Sequence, residues 1–474
     1  MSETRVQPDS PGGFRDYLPR QMQVRQRVFA TIREVFERFG FDPLETPAME
    51  YKEVLFGDKP PDTSVYRVKR THGETDADDA RDILLRYDLT VPLARIIARY
   101  PDLPRPFKRY HCGSVWRGEK PQVGRYREFI QFDADSVGTA SMVADAEIIW
   151  LMHETLRALG IANFNVRFNN RKVLNGLAVY AGFPETDIME VLRTLDKLDK
   201  IGEDAVLKQL GDPVKPKLTR DEYAAMTPQE SEAYDKADYG LGLSVEAVAR
   251  IKAFLAISGT TDEVLAQVDQ LARGIPIMEN GVTELSEIVV CLRSIGVPEE
   301  RWSVDLSVAR GLDYYTGPVF EAVLTDLPNI GSVFSGGRYD NLVNRFMPDS
   351  TPATGASIGV DRLFAALEQL EMANAPPTIV QALVTVMDPT LMNKYLTMVR
   401  DLRDAGVRTS IYFGQDMAFK AQMAFATKQE ISVVVICGTR EIADGTVQVR
   451  DMRTRTQVAV SRTALVERVC SLLS

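Results

Sequence analysis

Ten consecutive residues between two apolar stretches combine an arginine, an acid, two tyrosines and two glycines: Val308-Ala309-Arg310-Gly311-Leu312-Asp313-Tyr314-Tyr315-Thr316-Gly317. The apolar stretches on either side are typical of strands. Burying an unpaired guanidinium or carboxylate costs far more than burying apolar groups. The segment therefore predicts a site between strands that binds a small polar ligand.

Two further stretches are polar where strands are expected. The same residue types recur in Ser335-Gly336-Gly337-Arg338-Tyr339-Asp340. Gln131, Asp133 and Asp135 alternate within the run from Phe129 to Val137. Because alternate residues of a strand face the same side of a sheet, these three side chains should share one face. The alternation predicts a polar cavity beside the sheet.

Length and composition indicate a multidomain globular enzyme. The chain has 474 residues, too many for one ordinary core, so two or three domains are expected. Its apolar content of 45% and charged content of 26% are ordinary for a folded enzyme. No apolar run reaches the roughly 18 residues that cross a bilayer, and the first residues lack the apolar stretch of a signal peptide. We expect a cytoplasmic protein with no membrane partner.

Cysteines and histidines are few and scattered. The chain contains Cys112, Cys291, Cys437, Cys470, His72, His111 and His153. Their positions lack the paired spacing of zinc ligands, so we expect no metal site built by the protein. Each cysteine lies in or beside an apolar stretch and is expected to be an inert buried thiol.

The charge is distributed unevenly. A net charge of −10 argues against indiscriminate binding of nucleic acids, since phosphate contacts need clustered Lys and Arg. From Pro376 to the end, however, 12 basic residues outnumber 9 acidic ones. The tail differs electrostatically from the rest of the chain.

The order of elements predicts one large mixed domain with an insertion, followed by a smaller one. A helix over Gln21 to Arg38 leads into a strand that ends at Pro47, which should lie at an edge or a subunit boundary. Residues 170–300 show helical periodicity and polar breaks, as in a helical insertion. After the linker around Ala373 to Pro377, strands alternate with helices, which predicts a small α/β domain with a largely parallel sheet. The predicted strands are Asp82 to Tyr87, Arg109 to Trp116, Phe129 to Val137, Phe164 to Phe168, Trp302 to Leu306, Val319 to Leu324, Ser332 to Ser335, Gln381 to Val386, Arg408 to Tyr412 and Val433 to Cys437.

A basic hairpin joins two of these strands. It carries Arg117, Glu119, Arg125 and Arg127, and Phe129 follows. A planar guanidinium grips two phosphate oxygens at once, and an aromatic ring offers a stacking face for a purine. The alternative is an ordinary solvated basic loop.

Two other positions have both a functional and a structural interpretation. Arg362 begins a helix after the small residues Gly355 to Gly359, where it suits terminal phosphates, but glycine-rich turns before helices often only turn the chain. Asp88 lies between a strand and a helix, where an acid is also a common cap. Together, these features describe an enzyme that activates a small substrate with ATP. The Walker motif and the kinase catalytic loop are absent from the sequence.

The chain resembles class II aminoacyl-tRNA synthetases, and within them the histidyl-tRNA synthetase family, over nearly its whole length. The helix and strand ending at Pro47 are similar to class II motif 1, Tyr110 to Asp135 to motif 2, and Gly355 to Leu367 to motif 3. Two more specific histidine signatures match Arg310 to Tyr315, the first signature, and Gly336 to Asp340, the second signature. The sequences of residues 85–90 and 195–200 resemble those of the eukaryotic-like branch of the family.

This resemblance implies a fold and a domain layout. The expected fold class is α/β: an antiparallel class II sheet core with helices, a helical insertion and a C-terminal α/β anticodon-binding domain. The implied domains are the first part of the catalytic core at 1–169, the insertion at 170–300, the second part of the core at 301–372 and the anticodon-binding domain at 376–474. Class II motif 1 implies a homodimer. Lys420 and Arg440 are candidates for contacting the anticodon.

The resemblance also implies roles for individual residues. Arg117 and Arg310 would be catalytic and contact the α-phosphate of ATP. ATP would further be bound by Glu119 and Phe129 at the adenine, by Arg125 near the β- and γ-phosphates and by Arg362 at the γ-phosphate. The histidine pocket would be lined by Asp88, Thr90, Gln131, Asp135, Arg310, Tyr314 and Tyr315, with the imidazole and amine contacts left unassigned. Asp313 is expected to be structural.

The implied reaction has two steps. The carboxylate of L-histidine attacks the α-phosphorus of Mg²⁺-bound ATP and releases pyrophosphate; the 3′-terminal hydroxyl of tRNA(His) then takes the histidyl group, and AMP leaves. Neither step requires a strong protein base, because alignment and charge neutralisation are the main requirements. The nearest alternative is a regulatory subunit of ATP phosphoribosyltransferase. A stress-sensing pseudo-synthetase is a second. Arg310, Arg362 and the C-terminal domain favour the enzyme over both.

Overall fold

The computed structural model describes residues 6–57, 64–69, 81–121, 124–216, 218, 222–223, 225–227, 229–231, 234, 239–311, 314–348 and 350–474. The chain forms two compact units. One contains residues 1–15 and 29–369, and the other contains residues 16–28 and 370–474.

The first unit is built on an eight-stranded sheet in the described part of the chain, with strand order β1-β5-β6-β11-β10-β9-β7-β8. The six inner strands pair with one another in antiparallel fashion, and the edge strands β1 and β8 pair in parallel with β5 and β7. A smaller antiparallel sheet has the order β2-β4-β3. In chain order the strands are β1 (Asp42–Pro43), β2 (Met49–Tyr51), β3 (Arg67–Val68), β4 (Ile83–Leu85), β5 (Phe107–Trp116), β6 (Glu128–Val137), β7 (Phe164–Asn170), β8 (Trp302–Val304), β9 (Pro318–Leu324), β10 (Ser332–Arg338) and β11 (Ala353–Gly359).

Helices surround this sheet. They are α1 (Pro19–Arg38), whose first turns belong to the second unit, α2 (Lys52–Phe56), α3 (Thr90–Arg99), α4 (Met142–Ala158), α5 (Arg171–Asn175), α6 (Leu177–Ala181), α7 (Ile188–Leu195), α8 (Leu198–Ile201), α9 (Glu203–Gly211), α10 (Val245–Leu255), α11 (Thr261–Ala272), α12 (Pro276–Ile295) and α13 (Val360–Gln369). The Ser141 hydroxyl caps α4 by accepting a hydrogen bond from the Val143 amide at 3.3 Å. Among the described residues, no helix is long and apolar enough to cross a membrane.

The two faces of the main sheet have opposite character. Phe132 on β6 and Phe334 on β10 are buried on one face, where Phe36 of α1 packs edge-on against Phe132 with ring centroids 5.2 Å apart. Residues one step along each strand point to the other face and are largely polar. The apolar face therefore packs against α1, and the polar face is available for a ligand site.

The second unit has a five-stranded mixed sheet of order β13-β12-β14-β15-β16 among its described residues. β12 pairs in parallel with β13 and β14, and β14, β15 and β16 are antiparallel. Its elements are β12 (Ala382–Val384), β13 (Thr409–Ile411), β14 (Val433–Ile436), β15 (Thr446–Asp451), β16 (Gln457–Ser461), α14 (Met392–Asp404), α15 (Phe419–Lys428), α16 (Thr439–Ala443) and α17 (Leu465–Leu473).

The fold class predicted from the sequence is confirmed, with three local corrections. The strand expected to end at Pro47 is absent from residues 44–48, and the proline at the sheet edge is Pro43 in β1. The small residues Gly355 to Gly359 form the inner strand β11 rather than a turn. The C-terminal sheet is mixed, because the unpredicted hairpin of β15 and β16 adds two antiparallel strands.

Residues 170–300, expected to form an insertion, contain α5 to α12. The long helix α12 packs against α4 and α5, and its Gly281 lies directly against Val173. This helix is thus attached to the sheet domain. The boundaries at 170 and 300 stay predictions.

Candidate active site

A cavity of about 660 Å³ opens on the polar face of the main sheet. Its lining residues come from strands, from the start of α3, from the first and second signatures and from α7. They are Tyr87, Asp88, Thr90, Arg117, Glu119, Gln131, Asp133, Asp135, Arg193, Tyr314, Tyr315, Ser335, Tyr339, Gly355, Ala356 and Ser357. A second cavity of about 440 Å³ is lined by Arg193, Asp196, Arg310, Gly311, Tyr314, Tyr315, Ser335 and Gly336. Because the two cavities share four of these residues, they adjoin and form one extended site.

Cross-strand register explains why the polar residues meet. Neighbouring strands pair polar residues directly, and the row runs His111, Asp133, Ser357, Ser335, Glu321, Arg167 across β5, β6, β11, β10, β9 and β7. The prediction that Gln131, Asp133 and Asp135 share one face is confirmed, since all three line the larger cavity. Opposite Asp135, Gly355 leaves room, because a Cβ there would lie 2.1 Å from the Asp135 Oδ1.

Asp135 is the acid of the cavity that has the most partners. The Arg109 guanidinium forms an ion pair with it at 2.7 Å between Nη2 and Oδ2, and the Tyr339 hydroxyl donates to its Oδ1. Burial still raises the pKa of Asp135, while Arg109 and Tyr339 lower it. Asp135 is therefore a buried acid whose charge already has a counterion.

Asp133 has a different environment. It is 1% exposed, and neither carboxyl oxygen has a hydrogen-bond partner of ordinary geometry among the described residues. Burial raises its pKa to about 7; Arg109 and the nearby Ser357 hydroxyl lower it, and Asp135 raises it further. The Ser357 hydroxyl instead accepts a 2.6 Å hydrogen bond from the Gln131 amide.

Asp88 lines the cavity and also accepts a hydrogen bond from helix α3. Its Oδ1 accepts a hydrogen bond from the Val91 amide at 3.2 Å, in the first turn of α3. Burial raises the pKa of Asp88 to about 6, and the positive charges of Arg117 and Arg345 oppose this shift. Asp88 is therefore a helix-terminal acid that also lines the cavity, and its role in binding a ligand stays a prediction. Thr90, the first residue of α3, is buried beside it.

Two tyrosines of the first signature form the wall between the cavities. Their hydroxyls lie 3.3 Å apart and their ring centroids 4.5 Å apart. Burial is the main cause that raises the pKa of both Tyr314 and Tyr315, so both are hydrogen-bond donors at neutral pH. Gly311 has a φ of 64° and lies under Tyr315, where a Cβ would be 1.7 Å from the ring. Leu312 and Asp313, and hence the structural role expected for Asp313, lie outside the described residues.

The predicted phosphate-binding arginines come from separate elements. Arg117 follows β5, donates to the Tyr87 carbonyl at 3.1 Å and lies over the Phe129 ring at 5.1 Å. In the hairpin, Arg125 forms an ion pair with Glu119. Arg310 forms an ion pair with the buried carboxylate of Glu321.

Arg362, in the first turn of α13, donates to the Ser332 carbonyl at 2.8 Å. Its pKa lies below the usual value, first because it is buried and then because the charges of Arg310, Arg125 and Arg117 repel it. Three guanidiniums from two other parts of the sequence are thus within electrostatic reach of Arg362. Such a concentration of positive charge suits a polyphosphate.

The two signatures contain arginines with different surroundings. Arg338 of the second signature is 2% exposed and donates to Asp145 of α4, to the Thr139 carbonyl at 3.0 Å and to the Ser141 carbonyl at 3.1 Å. Burial raises the pKa of Asp145 to about 6, and Arg338 opposes the shift. Arg338 therefore ties β10 to α4, while Tyr339, next along the chain, faces the cavity.

The structure brings most of the predicted site residues to the cavities. Arg117, Glu119, Arg310 and the six other residues predicted for the histidine pocket line them. Arg125, Phe129 and Arg362 are not among the lining residues, but each contacts or lies near one that is. Arg125 pairs with Glu119, Phe129 lies under Arg117, and Arg362 is close enough to Arg117 and Arg310 to be repelled by their charges. Sequence reasoning assigned no role to Asp133, Tyr339, Ser357, Arg193 or Asp196. The alternation of Asp133 with Gln131 indicated that Asp133 faces the site. Arg193 and Asp196 lie in the helical segment, where no sequence pattern indicated a position in the site.

The described residues contain no group of three or more His, Cys, Asp or Glu side chains arranged to hold a metal ion. Within that part of the chain, the four cysteines are all free thiols.

Comparison with known proteins agrees with this geometry. The family model described as histidyl-tRNA synthetase matches residues 13–363, and the model described as anticodon binding domain matches residues 381–472. The chain is 41% identical over 487 residues to a histidine–tRNA ligase of Jannaschia sp. (strain CCS1), covering 95% of this chain and 92% of that one. It is 40% identical over 485 residues to that of Ruegeria sp. (strain TM1040), covering 98% and 93%.

A solved structure is similar over the same extent. The crystal structure of histidyl-tRNA synthetase from Nostoc sp. PCC 7120 aligns with a TM-score of 0.80 and 33% identity, covering 98% of this chain and 100% of that one. The relatives are bacterial, and none supports the eukaryotic-like branch expected from residues 85–90 and 195–200. The chain belongs to the histidyl-tRNA synthetase family, and its activity is that of a histidine–tRNA ligase.

Proposed function

We propose that histidine and ATP bind side by side in the two adjoining cavities, with the residue roles expected from the sequence. The observation that carries this proposal is the convergence of four arginines next to a pocket of acids and tyrosines. One half suits a triphosphate, and the other suits a small ligand with cationic and hydrogen-bonding groups.

Arg117 and Arg310 contact the α-phosphate of ATP in this proposal, and they are the catalytic residues. Support for Arg117 comes from its position at the cavity wall and from its stacking with Phe129, which leaves that aromatic residue beside the adenine. Arg310 lines the smaller cavity and is held by Glu321, so ATP binding competes with or shares this ion pair. Neutralisation of the charge that develops on the α-phosphate is the main contribution to the rate.

The remaining nucleotide contacts follow from the same cluster. Arg362 binds the γ-phosphate and Arg125 the β- and γ-phosphates, which relieves the mutual repulsion of the guanidiniums. Release of Arg125 from Glu119 frees the Glu119 carboxylate for the adenine amino group. Mg²⁺ arrives bound to ATP as part of the substrate.

Histidine occupies the larger cavity. Its contacts are Asp88, Thr90, Gln131, Asp135, Arg310, Tyr314 and Tyr315. Asp135 has a counterion and a tyrosine partner, and it suits the neutral imidazole N–H. A site that hydrogen-bonds both polar ends of its ligand leaves buried groups unpaired with any ligand that lacks them, which gives roughly 10⁴-fold discrimination in comparable sites.

The wider assignments are also proposals. Residues 170–300 contact the acceptor arm of tRNA(His), and the second unit contacts its anticodon, where Lys420 and Arg440 are candidates. The protein acts in the cytoplasm as a homodimer through motif 1. The domain boundaries at 169, 300, 372 and 376 belong to this proposal. The eukaryotic-like branch stays a prediction that the bacterial relatives do not support.

Histidine-dependent exchange of labelled pyrophosphate into ATP tests the activation step. The wild-type protein should catalyse exchange with histidine, and Arg310→Ala should lose at least roughly 100-fold of it, because a contact made in the transition state is gone. Arg408→Ala, in the second unit and not among the residues that line the cavities, serves as the matched control and should retain exchange. Absence of histidine-dependent exchange in the wild-type protein would contradict the proposal.

A further inference from the structure

The basic hairpin between β5 and β6 is contacted by the N-terminal segment, which is formed by residues 12–15. The Arg127 amide of the hairpin donates a hydrogen bond to the Gly13 carbonyl at 2.9 Å. The Arg127 guanidinium donates from Nη1 to the Gly12 carbonyl at 2.9 Å and from Nε to the Glu119 carbonyl at 3.2 Å. Arg127, which has no role in the proposed ATP site, therefore links the N-terminal segment to both limbs of the hairpin.

Arg15 of the N-terminal segment contacts the residue that precedes Arg127. Its guanidinium donates to the Tyr126 hydroxyl at 2.5 Å and lies 4.8 Å from the centre of the Tyr126 ring. Tyr126 and Arg127 directly follow Arg125, which belongs to the proposed ATP site. Two consecutive residues on the C-terminal side of Arg125 are thus held by the N-terminal segment.

Gly13 lies between the two limbs of the hairpin, where a larger residue has no room. Its φ of 87° is in the left-handed region, and a Cβ at this position would lie 2.9 Å from side-chain atoms of both Arg127 and Pro121. Pro121 belongs to the limb that begins at Arg117, and Arg127 belongs to the returning limb. The N-terminal segment therefore packs against both limbs at once.

A second contact holds the first limb of the hairpin from another part of the chain. The Gly118 amide donates to the Ser64 carbonyl at 2.8 Å, and a Cβ at Gly118 would lie 2.3 Å from the Ser64 Oγ. Two residues on, the Tyr66 ring packs edge-on against Phe14 of the N-terminal segment, with ring centroids 6.0 Å apart. The two contacts that support the hairpin are thus joined to each other.

The supported hairpin carries three of the residues proposed to bind ATP. Arg117 and Glu119 lie on one limb and Arg125 on the other, and the Arg117 amide donates to the Arg127 carbonyl at 2.8 Å between the limbs. Loops have fewer stabilising contacts than strands, and ordering them on binding lowers the affinity for a ligand. A hairpin that is already fixed before ATP arrives avoids this loss.

We propose that the N-terminal segment and Arg127 position the hairpin for ATP without touching it, an inference that rests on the ATP contacts proposed above for Arg117, Glu119 and Arg125. The proposed histidine contacts lie on β6, around the start of α3 and in the first signature, outside the hairpin. Weakening the N-terminal segment should therefore raise KM for ATP and leave KM for histidine nearly unchanged.

Pyrophosphate exchange with ATP varied and with histidine varied measures the two KM values. Gly13→Ala introduces a strained φ and forces the limbs apart, so KM for ATP should rise roughly 10-fold or more while KM for histidine stays within about 3-fold. Gly406→Ala is the matched control. Gly406 has a φ of 81°, and no described atom beyond its chain neighbours lies within 4 Å of its Cβ position. This variant should leave both KM values within about 2-fold.

A double-mutant cycle tests the same contact with milder changes, which covers the case that Gly13→Ala does not fold. Arg15→Ala removes the hydrogen bond and the ring contact, and Tyr126→Phe removes only the hydroxyl. Arg15→Ala should raise KM for ATP roughly 3- to 10-fold. The double variant should stay within about 2-fold of Arg15→Ala alone, because both changes break the same contact.

An unchanged KM for ATP, an equal rise of both KM values, or a defect confined to the charging of tRNA would overturn the inference for Gly13→Ala and for Arg15→Ala alike. Additive effects in the double-mutant cycle would also contradict it. These outcomes are read in variants of an enzyme that exchanges normally. A wild-type enzyme without histidine-dependent exchange would instead remove the proposed function, and the positioning role with it.

Discussion

Single residues in the cavity owe their properties to neighbours that the sequence alone does not reveal. Asp88, Asp133 and Asp135 are all aspartates of one pocket. Asp88 is tied to a helix, Asp135 is paired with Arg109, and Asp133 lies beside the Ser357 hydroxyl without an ion pair among the described residues. Burial raises the pKa of all three, and the partners decide how much each shift is opposed. The three aspartates thus have different environments, although their side chains are chemically identical.

The first residue-scale prediction concerns the pH dependence of stability. The pKa of Asp133 is about 7 in the folded protein and near 3.9 in an unfolded chain. Between these values the unfolded state loses its proton first, so folding stability falls as pH rises. Asp133→Asn removes this loss and should be more stable than wild type by on the order of 4 kcal/mol at pH 8, with little difference at pH 4.

Denaturant unfolding of the ligand-free proteins at several pH values measures this difference. Other groups that face Asp133 titrate in both proteins and largely cancel; they are Asp88, Arg109, His111, Asp135 and Tyr315. A stability difference between Asp133→Asn and wild type that shrinks as pH rises from 4 to 8 would contradict the account.

The second residue-scale prediction concerns Gly311. Its φ of 64° strains any residue with a Cβ, and the Tyr315 ring fills the space where that Cβ would be. Gly311→Ala should displace the ring and lower kcat/KM for histidine at least roughly 10-fold. Gly274→Ala is the matched control, because Gly274 has a φ of 82° but no atom within 4 Å of its Cβ position. If both variants lose activity equally, packing against Tyr315 is not the cause.

Among the elements, β9 carries a buried acid that pairs with two arginines, which its sequence does not predict. Glu321 lies at the centre of this strand, 2% exposed, between Arg310 and Arg167. Arg167 also pairs with Asp305 at 3.3 Å. Arg310, which we propose to be catalytic, is thereby held by a residue of a strand.

This arrangement predicts that Glu321 positions Arg310. Glu321→Gln should lower kcat for pyrophosphate exchange roughly 10- to 100-fold and leave KM for histidine within about 3-fold, because the alignment of Arg310 is lost while the six other proposed histidine contacts stay. Asp305→Asn, which touches Arg167 but not Arg310, should keep kcat within about 2-fold. Equal effects of the two variants, or a change confined to KM, would show that Glu321 has another role.

Prediction from sequence succeeded where local patterns decide structure. Period-two alternation placed Gln131, Asp133 and Asp135 on one face, and helical periodicity found α1 and α3. It did not succeed where long-range register decides, as for Gly355 to Gly359. These residues form an inner strand because they pair with both β6 and β10, and Gly355 leaves room for Asp135. The hairpin of β15 and β16 was missed although the buried valines Val447 and Val449 alternate with less buried residues.

At the scale of the whole molecule, the chain combines a class II catalytic unit with an anticodon-binding unit. The two family matches cover residues 13–363 and 381–472, and they agree with the division of the fold into two compact units near residue 370. The relative excess of basic residues after Pro376 is consistent with contact to a nucleic acid. The region matched by the synthetase model and the region matched by the anticodon-binding model are thus different parts of the chain.

Charging of total tRNA by the full-length enzyme, with ATP and each proteinogenic amino acid in turn, tests this account most directly. The acylated species are then isolated and sequenced. The account predicts that histidine alone is attached, at the 3′ end, and only to tRNA with a histidine anticodon. Attachment of another amino acid, attachment to other tRNAs, or no attachment at all would contradict it.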